Sequence, residues 1–154
     1  MSDVYLGNPN LKKANTEIEF TEEQIIEFLK CKEDPVYFAN NYIKIVSLDE
    51  GLTQFHPYDF QEKLIHNFHE NRFNICKMPR QTGKSTTVVS YLLHYAVFND
   101  SVNIGILANK AATARELLGR LQTAYENLPK WMQQGILSWN KGSMELENGS
   151  KILA

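Results

Sequence analysis

Apolar and polar positions change rhythm near Phe73. Ahead of it, three segments repeat apolar residues at helical spacing. In TEEQIIEFLKCKED the stripe runs through Ile25, Phe28 and Leu29, behind Thr21 and Gln24, whose spacing is that of a capping box. Asp34 and Pro35 suit the N-cap and first helical position of PVYFANNYIKI, which puts Phe38, Tyr42 and Ile45 on one side. SLDEGLTQFHP breaks the period and reads as a loop. Pro57 then opens YDFQEKLIHNFHEN, where Phe60, Leu64, Ile65 and Phe68 recur at helical spacing. Residues 1–20 are polar, carry Gly7, Pro9 and the pair Lys12 and Lys13, and read as an extended or partly ordered lead-in.

From Phe73 onward short apolar runs alternate with longer helical ones. FNICKM is predicted as a strand running into the loop MPRQTGKSTT. KSTTVVSYLLHYAVF is apolar on nearly every side, through Val88, Val89, Leu92, Leu93, Ala96 and Val97, as a helix buried between layers would be. VNIGILA, residues 102–108, is a second strand candidate, and Ala114, Leu117, Leu118, Leu121 and Leu128 mark a further amphipathic helix. Strand, loop, helix, strand, helix is the βαβ arrangement of a parallel sheet, so the expected class is α/β. In SMELENGSKILA, Asn148 and Gly149 lie between alternating runs and predict a hairpin.

Composition narrows the picture. The 154 residues are about one domain in length, and 43% hydrophobic with 22% charged residues fits a globular chain. A net charge of −2 gives no global basic field, which argues against a stand-alone DNA-binding module. Cys31 and Cys76 lack metal-ligand spacing, sit in apolar patterns and are expected as reduced core thiols in a cytosolic protein. The N-terminus has neither the basic nor the apolar region of a secretory signal, and no apolar stretch reaches membrane-spanning length.

The chemistry concentrates in residues 78–87. A phosphate-binding loop needs outward-facing backbone amides, a small residue at the closest approach, a cation for the β and γ phosphates and a hydroxyl for Mg²⁺. Pro79, Arg80, Gln81, Thr82, Gly83 and Lys84 would form the nucleotide cradle, with Lys84 as the cation, Ser85 as the Mg²⁺ ligand and Thr86 as a further phosphate contact. The alternative is an ordinary strand-to-helix turn with a surface lysine. Met78 stands where the usual motif has its first glycine, and Arg80, three residues before Gly83, is placed to reach a γ-phosphate as an arginine finger in cis. A solvated charge or an ion pair is the alternative for Arg80. Upstream, Gln61, flanked by Tyr58 and Phe60, carries an amide able to read an adenine edge, which would select ATP; otherwise it is a solvated helix residue. His66 and His69 have metal-compatible spacing but no third ligand, and Trp131 and Trp139 read as packing residues.

Together, DPVYFANNYIKI, YDFQ, ICKMPRQTGKST, VNIGILANKAATARELLGRL and LSWNKGSMELENGSKI resemble the large terminase subunit of tailed bacteriophages, most closely the myovirus-type packaging motors. The similarity extends over nearly the whole chain from Tyr5. The resemblance implies a helicase-like, RecA-type P-loop ATPase that pumps double-stranded viral DNA into a procapsid through a portal protein. ATP and Mg²⁺ would be its cofactors, and the small terminase subunit and a ring of copies its partners in the bacterial host cytoplasm. It implies catalytic roles for Arg80 and Lys84 and an adenine-reading motif at Gln61, although His56 and Pro57 stand where the family often has a second Gln. The implied division is an N-terminal extension and helical subdomain at 1–57 and the first part of the ATPase domain at 58–154. No apolar run followed by Asp-Glu occurs after the loop, so the Walker B pair, catalytic Glu, coupling motif and metal-dependent nuclease of that family are expected beyond this chain, which alone would bind nucleotide without efficient turnover. The remaining alternatives are a helicase-like DNA- or RNA-dependent ATPase and a non-enzymatic nucleotide-binding domain.

Overall fold

The computed structural model describes residues 3–47 and 49–154. The lead-in is extended, as expected, and its first part is a docked hairpin: β1 (Val4–Tyr5) pairs antiparallel with β2 (Asn8–Lys12). Leu11 is buried, but the fastening is mainly polar. Gln133 Oε1 accepts the Lys12 N–H at 2.9 Å, and its Nε2 donates to the carbonyls of Asn10 at 2.9 Å and Leu128 at 3.0 Å. Lys12 Nζ lies 3.0 Å from Glu147, which also accepts the N–H groups of Gly135 and Asn15. Burial pushes the Glu147 carboxyl up, but the bonds to Gly135, Asn15 and Lys12 together outweigh it and hold it below its usual range.

α1 (Glu22–Glu33) starts with the predicted box: Thr21 Oγ1 accepts the Gln24 N–H and Gln24 Oε1 accepts the Thr21 N–H. Its apolar stripe is covered only in part, where α1 meets α2 and α4. Phe28 packs edge-on against Phe98 at 4.9 Å, while Ile25 and Leu29 stay exposed. In α2 (Pro35–Tyr42) Asp34 Oδ1 caps Val36 and Tyr37, as its sequence predicts. The helix stops sooner than the apolar period suggests. Gln54 Nε2 donates to the carbonyls of Asn40 and Ile43, satisfying the end of α2, and the chain turns into β3 (Lys44–Ser47) and β4 (Gly51–Gln54). Ile45 is therefore a strand residue, and the expected loop is one arm of an antiparallel hairpin.

α3 (Asp59–Glu70), α4 (Lys84–Phe98) and α5 (Ala111–Glu126) form the body. α4 has the predicted ends, with Val89, Leu93, Ala96 and Val97 inside a core that also holds Phe38, Ile65, Leu118, Leu121 and Ile152, but its burial is one-sided: Val88 and Leu92 are half-buried and Tyr95 is exposed. On this body lies a sheet ordered β5 (Asn103–Gly105), β8 (Lys151–Leu153), β7 (Ser143–Leu146), β6 (Ile136–Trp139). β7 and β8 form the predicted hairpin, with Gly149 at φ +81°. β6 and β7 add a second one, tightened by Asn140 Oδ1 accepting the N–H groups of Gly142 and Ser143. Trp131 packs on Tyr42 and Trp139 on Tyr125, as expected.

The fold is mixed α/β, but the sheet is not the parallel one expected. β5 and β8 run parallel and the other neighbours antiparallel. The segment Phe73–Met78 is not a strand: it pairs with no described strand, and Phe73 and Ile75 are almost wholly exposed. Cys76, expected in the core, is exposed for the same reason, whereas Cys31 is buried. β5 covers three of the seven residues expected, and Leu107 stands in solvent.

Candidate phosphate-binding loop

The loop closes on its own lysine. Lys84 Nζ donates to the carbonyls of Met78 and Pro79, both at 3.1 Å, and Thr82 Oγ1 donates to Pro79 O at 3.1 Å. The chain thus wraps around the ammonium group and folds back onto the start of α4. Two residues take the left-handed backbone this requires, Gln81 at φ +61° and Gly83 at φ +71°. Gly83 is the N-cap of α4, and the first helical bond runs from Thr87 N–H to Gly83 O at 3.0 Å, doubled by the buried Thr87 hydroxyl. The amides of Lys84, Ser85 and Thr86 have no acceptor within the helix, and the positive end of its dipole points the same way.

Charge accumulates at this end. The ion pairs among the described residues are Lys12–Glu147, Lys30–Glu27, Arg120–Glu116 and Lys151–Glu145. None involves Lys77, Arg80 or Lys84, so a chain of net charge −2 keeps a local cationic site there. Arg80 is exposed at the loop tip and Ser85 half-buried in the first turn. Lys84 lies in the first turn of α4, its ammonium group held by the carbonyls of Met78 and Pro79.

Gln61 meets the loop from below. It is 3% exposed; its Oε1 accepts the Tyr58 N–H at 2.9 Å and its Nε2 donates to Thr82 O at 3.1 Å. Both ends of the amide expected to face an adenine ring are engaged by backbone. Tyr58 and Phe60 are exposed and stacked, with ring centroids 5.8 Å apart. His66 and His69 are exposed on α3; the His69 ring approaches Tyr91 and the buried His94, and no group of three metal-ligating side chains gathers among the described residues.

The family model described as "Terminase large subunit, T4likevirus-type, N-terminal" matches residues 75–154, more than half of the chain and all of the loop. The chain belongs to this family. Its match takes in α4, β5, α5 and the whole four-stranded sheet, and leaves α1 to α3 and both N-terminal hairpins outside. Gln61 therefore lies outside the matched region, and its contact with the loop is legible only in three dimensions. Thr87, which anchors the first turn through Gly83 O, was not among the predicted site residues; one residue past the motif, it shows no distinctive sequence signal.

Proposed function

We propose that this terminase chain binds ATP at residues 79–86 and that hydrolysis there powers translocation of double-stranded DNA into a procapsid. The observation that supports it most is the loop wrapped around Lys84 at the open N-terminus of α4, where free amides, a helix dipole and unpaired cations converge. Lys84 would exchange its two carbonyl partners for β and γ phosphate oxygens. Ser85 fits a Mg²⁺ ligand: its hydroxyl sits in the first helical turn beside Lys84 and makes no side-chain hydrogen bond among the described residues. Mg²⁺ would neutralise charge between the phosphates. Arg80, exposed and paired with no carboxylate among the described residues, would stabilise the charge that develops on the transferred phosphoryl group.

The exposed apolar segment Phe73–Met78 supports a P-loop sheet that extends past the strands described, since an apolar strand candidate gains its ladder only from neighbours. The division at residues 57 and 58 belongs to this same reading, with 58–154 as the first part of the ATPase unit. Portal protein, small subunit, DNA and a ring of copies, in the host cytoplasm, are the partners it calls for. Calorimetric titration with MgATP tests the binding step. Lys84→Ala is expected to weaken binding at least about tenfold, the loss of a charge-assisted contact; equal affinity in both proteins would refute the site.

A further inference from the structure

We infer that the exposed turn from β5 into α5 is a docking surface for the phosphate backbone of double-stranded DNA, held through Lys110 and Arg115. The inference rests on the translocation reading above only in its choice of partner. Charge is segregated along the chain. Residues 71–115 hold six of the sixteen Lys and Arg residues and one of the eighteen Asp and Glu residues, a net +5, while the remaining residues net −7, which together give the overall −2. The six are Arg72, Lys77, Arg80, Lys84, Lys110 and Arg115, and none enters an ion pair among the described residues. The one acid, Asp100, follows the far end of α4, whose 15 residues span about 22 Å. Glu116, next to Arg115, is taken up by Arg120 at 2.7 Å.

The fold brings the two ends of this segment together. Ile106 and Leu117 line a cavity of about 140 Å³ with Lys84, Ser85 and Val88, so the turn between them starts and ends beside the first turn of α4. Residues 107–113 are all exposed, and so is Arg115. Such a surface fits a polyanion: each cation that neutralises a phosphate releases a condensed counterion, a gain little opposed where carboxylates are few. A duplex fits it better than a single strand. Duplex DNA carries one charge per about 1.7 Å of its axis, and residues 105–115 include no aromatic side chain on which an unpaired base could stack. Ala108, Ala111 and Ala112 keep the surface low, and Asn109 and Thr113 add donors for phosphate oxygens.

The test measures the fluorescence anisotropy of a labelled duplex of about 20 base pairs with the wild-type chain, Lys110→Gln, Arg115→Gln and Lys141→Gln over a range of salt. MgATP affinity of the same four proteins is measured by calorimetry. Lys141→Gln takes the same charge from the exposed β6–β7 turn. Lys110→Gln and Arg115→Gln are each expected to lower DNA affinity about three- to tenfold at about 50 mM salt, and to flatten the dependence of log affinity on log salt by about 0.9. Lys141→Gln should stay within about twofold of wild type, and MgATP affinity should be unchanged in all three variants. Equal losses in all three would reduce binding to net charge and overturn the surface, as would a wild-type chain that leaves the duplex free at that salt. Tighter binding of a single strand, or of duplex RNA of the same length, would refute the choice of partner. A loss of MgATP affinity in Lys110→Gln or Arg115→Gln would assign these cations to the nucleotide and sink the inference. A wild-type chain that binds the duplex as described but no MgATP would instead strike the nucleotide reading and leave the surface standing.

Discussion

His94 should make the protein lose stability on mild acidification, before most carboxylates titrate. Its ring is buried between α4 and the α1–α2 layer, with Phe98 at 4.9 Å and Phe38 at 5.5 Å, and its Nε2 lies 2.8 Å from Cys31 O. With Cys31 O an obligate acceptor, Nε2 carries the proton, and Nδ1 is left buried with no partner. Burial lowers the pKa to about 4 from an ordinary 6.5, partly offset by the bond to Cys31 and reinforced by nearby His69. Between those values the unfolded chain binds a proton that the folded chain refuses. Unfolding free energy therefore falls with falling pH, by about 2 kcal/mol on reaching pH 5 and about 3 kcal/mol below pH 4. The slope fades above pH 6.5 and is essentially gone by about pH 8. Urea unfolding at 25 °C between pH 7 and pH 5 reads this out, with His94→Gln as the comparison because it keeps a donor for Cys31 O. Wild type should lose about 2 kcal/mol more than the variant across that range. Equal slopes in the two proteins would refute the assignment of the titration to His94.

Three further outcomes are expected. Gly83→Ala places a side chain at φ +71° against Gln61 Nε2 and should cost at least about 1–2 kcal/mol in urea unfolding as well as impair polyphosphate binding; a neutral effect would contradict the packing described. Gln133→Leu strands the Lys12 N–H and the carbonyls of Asn10 and Leu128, so it should destabilise by about 3 kcal/mol and expose Lys12 and Lys13 to trypsin under native conditions. Thiol titration of the folded protein should label Cys76 quickly and Cys31 only on unfolding, because Cys76 is exposed while burial pushes the Cys31 thiol up to about 12; two fast thiols would refute this.

Local signals carried most of the elements. Thr21 with Gln24, Asp34 with Pro35, and Asn148 with Gly149 each satisfy neighbouring backbone, and the structure has all three. Long-range bonds account for the errors. The end of α2 depends on Gln54, eleven residues beyond Ile43, and the docking of β2 on Gln133, more than a hundred residues away. The apolar run at Phe73 has strand propensity without a strand, because that propensity describes a surface that fits a sheet and no described strand pairs with the run. At the loop, the positions of Lys84 and Gly83 were legible in GKST, since that motif is local chemistry. What Gln61 touches was not, because α3 and the loop meet only on folding.

If ATP binds as proposed, the N-terminal amides of α4 cradle its phosphates. A proton–nitrogen correlation titration of the uniformly labelled chain with MgATP addresses it residue by residue. The largest and saturable shifts should fall on the amides of Gly83, Lys84, Ser85 and Thr86 and on the Arg80 guanidinium, with the β6–β7 hairpin silent and Lys84→Ala abolishing the response. Shifts centred elsewhere, or none at millimolar MgATP in the wild-type chain, would contradict nucleotide binding at this loop.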